Sequence, residues 1–229
     1  MLSYKILGML LTYPGEELQH HMDELKHAIE GEGAVPAKIR KPLFAFMDDL
    51  ARRKLLRVQE DYVALFDRSR AHSLYLFEHV LGESRDRGQA MVDLTDLYKE
   101  HGFKLAQREL PDYLPLFLEF LSVLPFEAAQ ELLGEIVHIL AAVGAKLKAK
   151  KSGYHHVFRA LEALTEVKAD PKFVEQAVSD AEKEDTSLEA LDKEWEETPA
   201  FDGLGAAACG VCPDAGRHAG GVQPAATQG

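Results

Sequence analysis

The chain is poor in cysteine: among its 229 residues only Cys209 and Cys212 carry thiols, both near the end. That excludes a disulfide framework for the body of the protein and fits a reducing compartment. Positive charge is scarce as well. Twenty-six lysines and arginines face 38 aspartates and glutamates, a formal net charge of −12. So acidic a chain is a poor general binder of nucleic acid or anionic membrane and suits a basic partner. No stretch reaches the ~18 apolar residues that a spanning helix needs. The apolar start, MLSYKILGMLLTYPGEE, lacks a basic leading region, a long uninterrupted apolar core and a small-residue cleavage site. It therefore reads as a first helix and not as a secretory leader. No alternating apolar–polar strand pattern stands out. These absences lead to the expectation of a cytosolic protein without membrane insertion.

What is present points to a helical domain. Hydrophobic residues make up 46% and charged residues 28%, a globular composition on a chain long enough for a sizeable core. Four stripes follow the i, i+3, i+4, i+7 spacing of amphipathic helices. They are Leu55, Val58, Tyr62, Val63 and Phe66; Ala90, Met91, Leu94, Leu97, Tyr98 and His101; Leu132, Leu133, Ile136, Val137, Leu140, Gly144 and Leu147; and Tyr154, Val157, Phe158, Leu161 and Leu164. Pro14-Gly15 separates the first two helices, Gly31 and Gly33 end the second, and Pro36 opens the third. Gly102 stands where a C′ glycine belongs. Pro125 precedes one long helix, from about Phe126 to Lys150, whose terminal lysines suit the negative end of its dipole. Asp170-Pro171 reads as an N-cap followed by proline at the first helical position. The segment YLPLFLEFLSVL, Tyr113 to Leu124, is apolar on nearly every face, with Glu119 its only charge. Such a helix is buried on several sides, and Pro115 places its start near Asp112.

The fold expected is all-α: a single bundle-like domain of about nine helices over residues 1–202. From Asp180 to Asp202 ten acidic residues face two lysines, and Leu188, Leu191 and Trp195 can dock a last helix. Residues 203–229 form a Gly/Ala/Pro-rich tail expected to be disordered. Deleting residues 204–229 is expected to leave folding and partner binding nearly intact. A large fall in melting temperature of the truncated chain would contradict this.

Catalytic spacings are missing. There is no G-x-x-x-x-G-K, G-x-G-x-x-G, G-x-S-x-G or H-E-x-x-H. Glu-x-x-His, which in pairs builds di-iron sites in bundles, occurs at Glu17/His20, Glu24/His27 and Glu135/His138. At ~100° per residue all of these fall opposite their helices' apolar stripes, so they read as solvated faces. Cys209-Gly-Val-Cys212, with His218 as a third ligand, is half a zinc pattern, but it lies in the tail and reads as a pair of incidental thiols. No metal, no cofactor and no enzymatic activity are expected.

One stretch resists a purely structural explanation: HSLYLFEHVLGESRDRGQAM, His72 to Met91. Asp86 and Gln89 have the spacing of an N-cap and its capping-box partner. Arg85 and Arg87 then flank a helix N-terminus, where positive charge is disfavoured by roughly 0.3–1 kcal/mol. Local rules broken without structural gain often mark function. The stretch resembles the signature of the NarJ family, the nitrate reductase molybdenum-cofactor assembly chaperones. ILGMLLTYPGEEL, YVALFDRSRAHSLYLFEHV, ELPDYLPLFLEFLSVLP and EWEETPAF are similar to further segments of that family, so that the likeness spans roughly residues 2–202. Tyr113 follows the Pro-Asp pair where the wider group of redox-enzyme maturation chaperones commonly has histidine.

The resemblance implies an all-helical, non-catalytic protein. Such a chaperone holds the apo catalytic (alpha) subunit of respiratory nitrate reductase in the cytoplasm, binds its N-terminal segment, and allows molybdenum cofactor and iron–sulfur insertion before membrane attachment. It is not part of the finished enzyme, and molybdenum cofactor biosynthesis proteins are further partners. A client helix needs an apolar groove, which Tyr75, Leu76, Phe77 and the Tyr113–Leu124 helix can supply. Asp86, Glu109 and Asp112 are candidates to hold a basic group, and Arg85 and Arg87 to take a carboxylate. Rival readings are a chaperone for another molybdoenzyme or a twin-arginine leader, and an all-helical metal-dependent hydrolase.

Overall fold

In the computed structural model, residues 1–81, 85–105 and 109–183 are described. They lie in one compact unit, Met1–Asp185. The expected helix around Leu188–Trp195 and the tail lie outside the described residues. The architecture is all-α, as expected, but with eleven α-helices among the described residues instead of about nine. They are α1 (Leu2–Leu10), α2 (Glu16–His20), α3 (Met22–Glu32), α4 (Ala37–Arg52), α5 (Leu55–Tyr62), α6 (Arg85–Glu100), α7 (Leu114–Val123), α8 (Phe126–Glu135), α9 (Val137–Ala149), α10 (His155–Glu162) and α11 (Pro171–Lys183). No described helix is long and apolar enough to cross a membrane.

Two splits raise the count. The expected second helix breaks at His21 into α2 and α3, and α3 runs on through Gly31 to stop at Gly33. The expected long helix breaks at Ile136 into α8 and α9. Gly33 and Gly102 sit at φ 70° and 71°, the left-handed region that a side chain resists and that ends a helix. Asp170 caps α11 as expected, its Oδ1 accepting from the Lys172 amide at 2.9 Å.

The core forms around α1 and α7, which lie antiparallel. The Met1 ammonium donates to the Ser122 carbonyl at 2.8 Å, while Gly8 sits against Pro115 and Leu118 near the other end. A Cβ on Gly8 would stand 3.1 Å from the Pro115 carbonyl oxygen and 3.3 Å from Leu118 Cβ, so glycine sets how closely the two backbones approach. The free amides at the start of α1 are satisfied from a distance: Glu32 accepts from Leu2 and Ser3, both at 2.8 Å. This satisfies two of the four orphan amides of a helix start. In α7, Leu114, Pro115, Phe117, Leu118, Phe120 and Leu121 are buried, the many-sided burial that its uniform apolarity implied.

Around this pair pack α3, α4, α9 and α10. The stripe of α10 is fully inward, with Tyr154, Val157, Phe158, Leu161 and Leu164 all buried. Tyr154 joins Phe46 and Phe66 in an edge-on ring cluster with centroids 4.9 and 5.0 Å apart. The stripe of α6 behaves differently. Of the residues of α6 whose burial is described, Tyr98 alone is buried; Ala90, Met91, Leu94 and Leu97 are half-covered, and His101 falls past the helix end.

Candidate functional site

After a 3₁₀ turn at Arg70–His72 the chain extends, and Tyr75 pairs with Tyr113 in an isolated antiparallel bridge. The Leu114 amide donates to the Leu74 carbonyl at 2.8 Å, and the Leu76 amide donates to the Asp112 carbonyl at 2.9 Å. This short ladder holds the His72–His79 segment against the entrance of α7. The side chain of Asp112 extends the ladder: its Oδ2 accepts from the Phe77 amide at 3.1 Å. Asp112 is fully buried and its Oδ1 has no hydrogen-bond partner. Burial pushes this carboxyl above the ordinary aspartate range; the Phe77 amide and Arg87 offset that only in part. An acid so placed is held in a state of high free energy.

The sequence-derived candidates thus divide. Tyr75 and Tyr113 are half-buried and stack with tilted rings, centroids 5.4 Å apart. Burial raises both phenols, and the surrounding carboxylates, Glu109 among them, raise them further. Phe77 is half-buried, whereas Leu76 is core. Arg87, in the first turn of α6, is engaged within the chain: one nitrogen, Nη2, lies 3.4 Å from Glu78 Oε1 and 3.8 Å from Asp112 Oδ2. The basic group beside Asp112 is therefore the protein's own. Asp86 is exposed and, because α6 already begins at Arg85, is not the N-cap. Gln89 donates forward to Asp93 at 2.7 Å and not back to the helix start, so there is no capping box. The side chain of Arg85 lies outside the described residues.

Glu109 and Tyr113 meet at a different surface. With Pro115, Leu116 and Glu119 they line one wall of a groove of about 250 Å³ whose other wall is Lys5, Gly8 and Met9 of α1 and Thr12 just after it. Its floor is apolar. Among the described residues its rim carries Glu109 and Glu119 against a single lysine, Lys5, which is itself paired to Glu119 at 3.3 Å. The rim is therefore acidic, and an apolar strip beside acids fits an amphipathic helix with basic residues. Sequence reasoning missed Glu78, although it lies in the quoted stretch, and it missed the α1 wall. The clue to that wall was a glycine, Gly8, inside an otherwise apolar helix.

The Glu-x-x-His pairs face outward. Glu17, His20, Glu24, His27 and Glu135 are exposed, and His138 Nδ1 accepts from the Asp170 amide at 2.9 Å, tying down the start of α11. No group of three or more potential metal ligands clusters among the described residues. Cys209, Cys212 and His218 lie outside them.

The fold is shared with the crystal structure of an Archaeoglobus fulgidus protein assigned to redox enzyme maturation. The TM-score is 0.52 over 71% of this chain and 91% of that one, at 21% identity. An all-α domain with the fold of that protein is thus the class that the architecture defines. Sequence then narrows it. The family model described as nitrate reductase delta subunit matches residues 32–160. The nitrate reductase molybdenum cofactor assembly chaperone NarJ of Escherichia coli K12 is 42% identical over 226 residues, covering 98% of this chain and 95% of NarJ. NarW of the same strain, whose name gives it the same assembly role, is 42% identical over 193 residues, 84% of this chain and 80% of its own. The Bacillus subtilis NarJ is 30% identical over 177 residues, 77% of this chain and 95% of its own. The chain belongs to this family of nitrate reductase assembly chaperones.

Proposed function

We propose that this protein is a system-specific chaperone for respiratory nitrate reductase. It holds the apo catalytic (alpha) subunit in the cytoplasm by its N-terminal segment, and it keeps the subunit open to molybdenum cofactor and iron–sulfur insertion before membrane attachment. It acts by binding, without catalysis, and leaves the finished enzyme. The observation that carries this reading is the 42% identity to E. coli NarJ across nearly the whole of both chains. The acidic-rimmed groove between α1 and α7 supports it, because the apolar floor offers a place for a client helix and the rim carboxylates suit its basic side chains.

The test is binding of peptides that tile the N-terminal segment of the catalytic subunit. The full chain is expected to bind one of them. Met9→Asp, at a groove position that is exposed and peripheral to the core, is expected to weaken that binding by about tenfold, the 1–2 kcal/mol of one lost apolar contact. Its melting temperature should stay near that of the parent. Full maturation of nitrate reductase in cells lacking this protein, or no capture of the apo subunit by it, would end the proposal.

A further inference from the structure

We infer that Asp112 and Glu78 form a guanidinium-binding pair at which Arg87 is an internal stand-in, and that α6 moves aside when an arginine of the client takes the place of Arg87. This rests on the chaperone reading above and adds a second point of contact to it. Four observations carry it. Asp112 is fully buried, yet one of its two carboxylate oxygens has no partner. Arg87 reaches the pair with a single nitrogen at 3.4 and 3.8 Å, longer than the ~2.7–2.9 Å of a charge-assisted hydrogen bond and without the two-pronged geometry that a carboxylate accepts. A planar fork arriving from another direction can satisfy both oxygens of Asp112, which favours arginine over lysine. The side chain of Arg87 is 22% exposed, so a competitor can reach the pair from solvent.

The fourth observation concerns α6 itself. It has sixteen residues, and its firmest described attachments are near its two ends, with Leu94 and Leu97 resting more shallowly against the core. At the N-terminal end is the Arg87 contact. At the other is Tyr98, fully buried, its hydroxyl donating to the Pro111 carbonyl at 2.7 Å. Between them Met91, Leu94 and Leu97 are only half-covered. A helix held in this way has the low local stability of an element that opens on its own. Release of Arg87 leaves Tyr98 as a pivot, some 16 Å away at 1.5 Å per residue.

Two measurements on the full-length protein test this. First, Arg87→Ala is treated with N-ethylguanidinium at millimolar concentration. Its melting temperature is expected to rise towards that of the parent, while the parent and the double variant Arg87→Ala/Asp112→Asn do not respond. No rescue of Arg87→Ala overturns the guanidinium pair. Second, a peptide from the client's N-terminal segment, chosen to contain arginine, is titrated into parent and variant. Removing an internal competitor is expected to tighten binding about five- to tenfold, and replacing the peptide's arginines by glutamine should abolish the gain. Unchanged binding means that Arg87 is structural only, and weaker binding means that it grips a client carboxylate; either overturns the stand-in. Should Arg87→Ala fail to fold, Arg87→Gln serves in both measurements. If the peptide binds neither parent nor variant, it is the chaperone reading of the N-terminal segment that falls, and the rescue experiment still decides the pair.

Discussion

Phe120→Ala is expected to cost about 3–5 kcal/mol of stability, the range for emptying a fully buried aromatic site. For a chain of this size that lowers the melting temperature by about 6–20 °C. Phe120 is fully buried on α7 and is the hub of a ring cluster: Tyr98 at 4.6 Å, Phe103 and His101 at 5.6 Å, and Phe117 at 6.4 Å between centroids. Three of these, Tyr98, His101 and Phe103, belong to the C-terminal end of α6 or the turn that follows. Removal of the ring therefore takes away the floor on which α6 is seated. The loss should be uneven. Hydrogen exchange in α6 is expected to accelerate more than in α9 or α10, neither of which contributes a ring to this cluster. Urea unfolding gives the global loss and exchange its distribution. A loss under about 1 kcal/mol, or one spread equally over all helices, would mean that this cluster is not the seat of α6.

The contrast between α6 and α10 shows where sequence stopped being sufficient. Both carry apolar residues at helical spacing, and both were read as helices. Periodicity reports that a face meets something apolar, but not how deeply. On α10 the stripe is core throughout; on α6 only Tyr98 goes under. The breaks at His21 and Ile136 were invisible for a related reason. The apolar pattern continues in phase across each; no glycine or proline marks the break at His21, and that at Ile136 has only Gly134, two residues earlier and still inside α8. The all-apolar α7 was legible because uniform apolarity has one solution, burial on several sides.

At the candidate site, residue types were legible and pairings were not. Arg87 stood out as a cation at a helix start, but its partners Glu78 and Asp112 come from other elements and meet it only through the Tyr75–Tyr113 bridge. Expecting Arg85 and Arg87 to be spare charges followed from reading the helix alone. Asp112, expected to hold a basic group of the client, already has one nearby. Its complete burial has no local signature, because aspartate in a loop after Leu110-Pro111 is by default a surface residue.

Arg87→Ala should accordingly destabilise the fold, and the size of the effect should depend on pH. Breaking a buried ion pair by removing one partner costs about 3–5 kcal/mol. Here Arg87 is partly exposed and its contacts are long, so about 2–3 kcal/mol is expected near neutral pH. The pH dependence follows from the buried acid. Burial raises the folded-state pKa of Asp112 above its unfolded value, so between the two values the folded chain binds more protons than the unfolded one. Its contribution to stability is then greatest below the unfolded pKa and declines as pH rises through the folded one. Arg87 acts on the charged form and lowers the folded pKa; without it the acid titrates still higher and the decline deepens. The difference between parent and Arg87→Ala should thus shrink as pH falls below the unfolded-state pKa of Asp112 and grow as pH rises through its raised folded-state value. Asp112→Asn in the Arg87→Ala background removes the charge that needed a partner and is expected to restore most of the loss. Urea unfolding of the parent, Arg87→Ala and the double variant, at one pH below and one above this range, measures this directly. A penalty for Arg87→Ala that is equal at the two pH values, or that Asp112→Asn leaves unchanged, would assign the role of Arg87 to packing of its alkyl stem and not to the carboxylate beneath it.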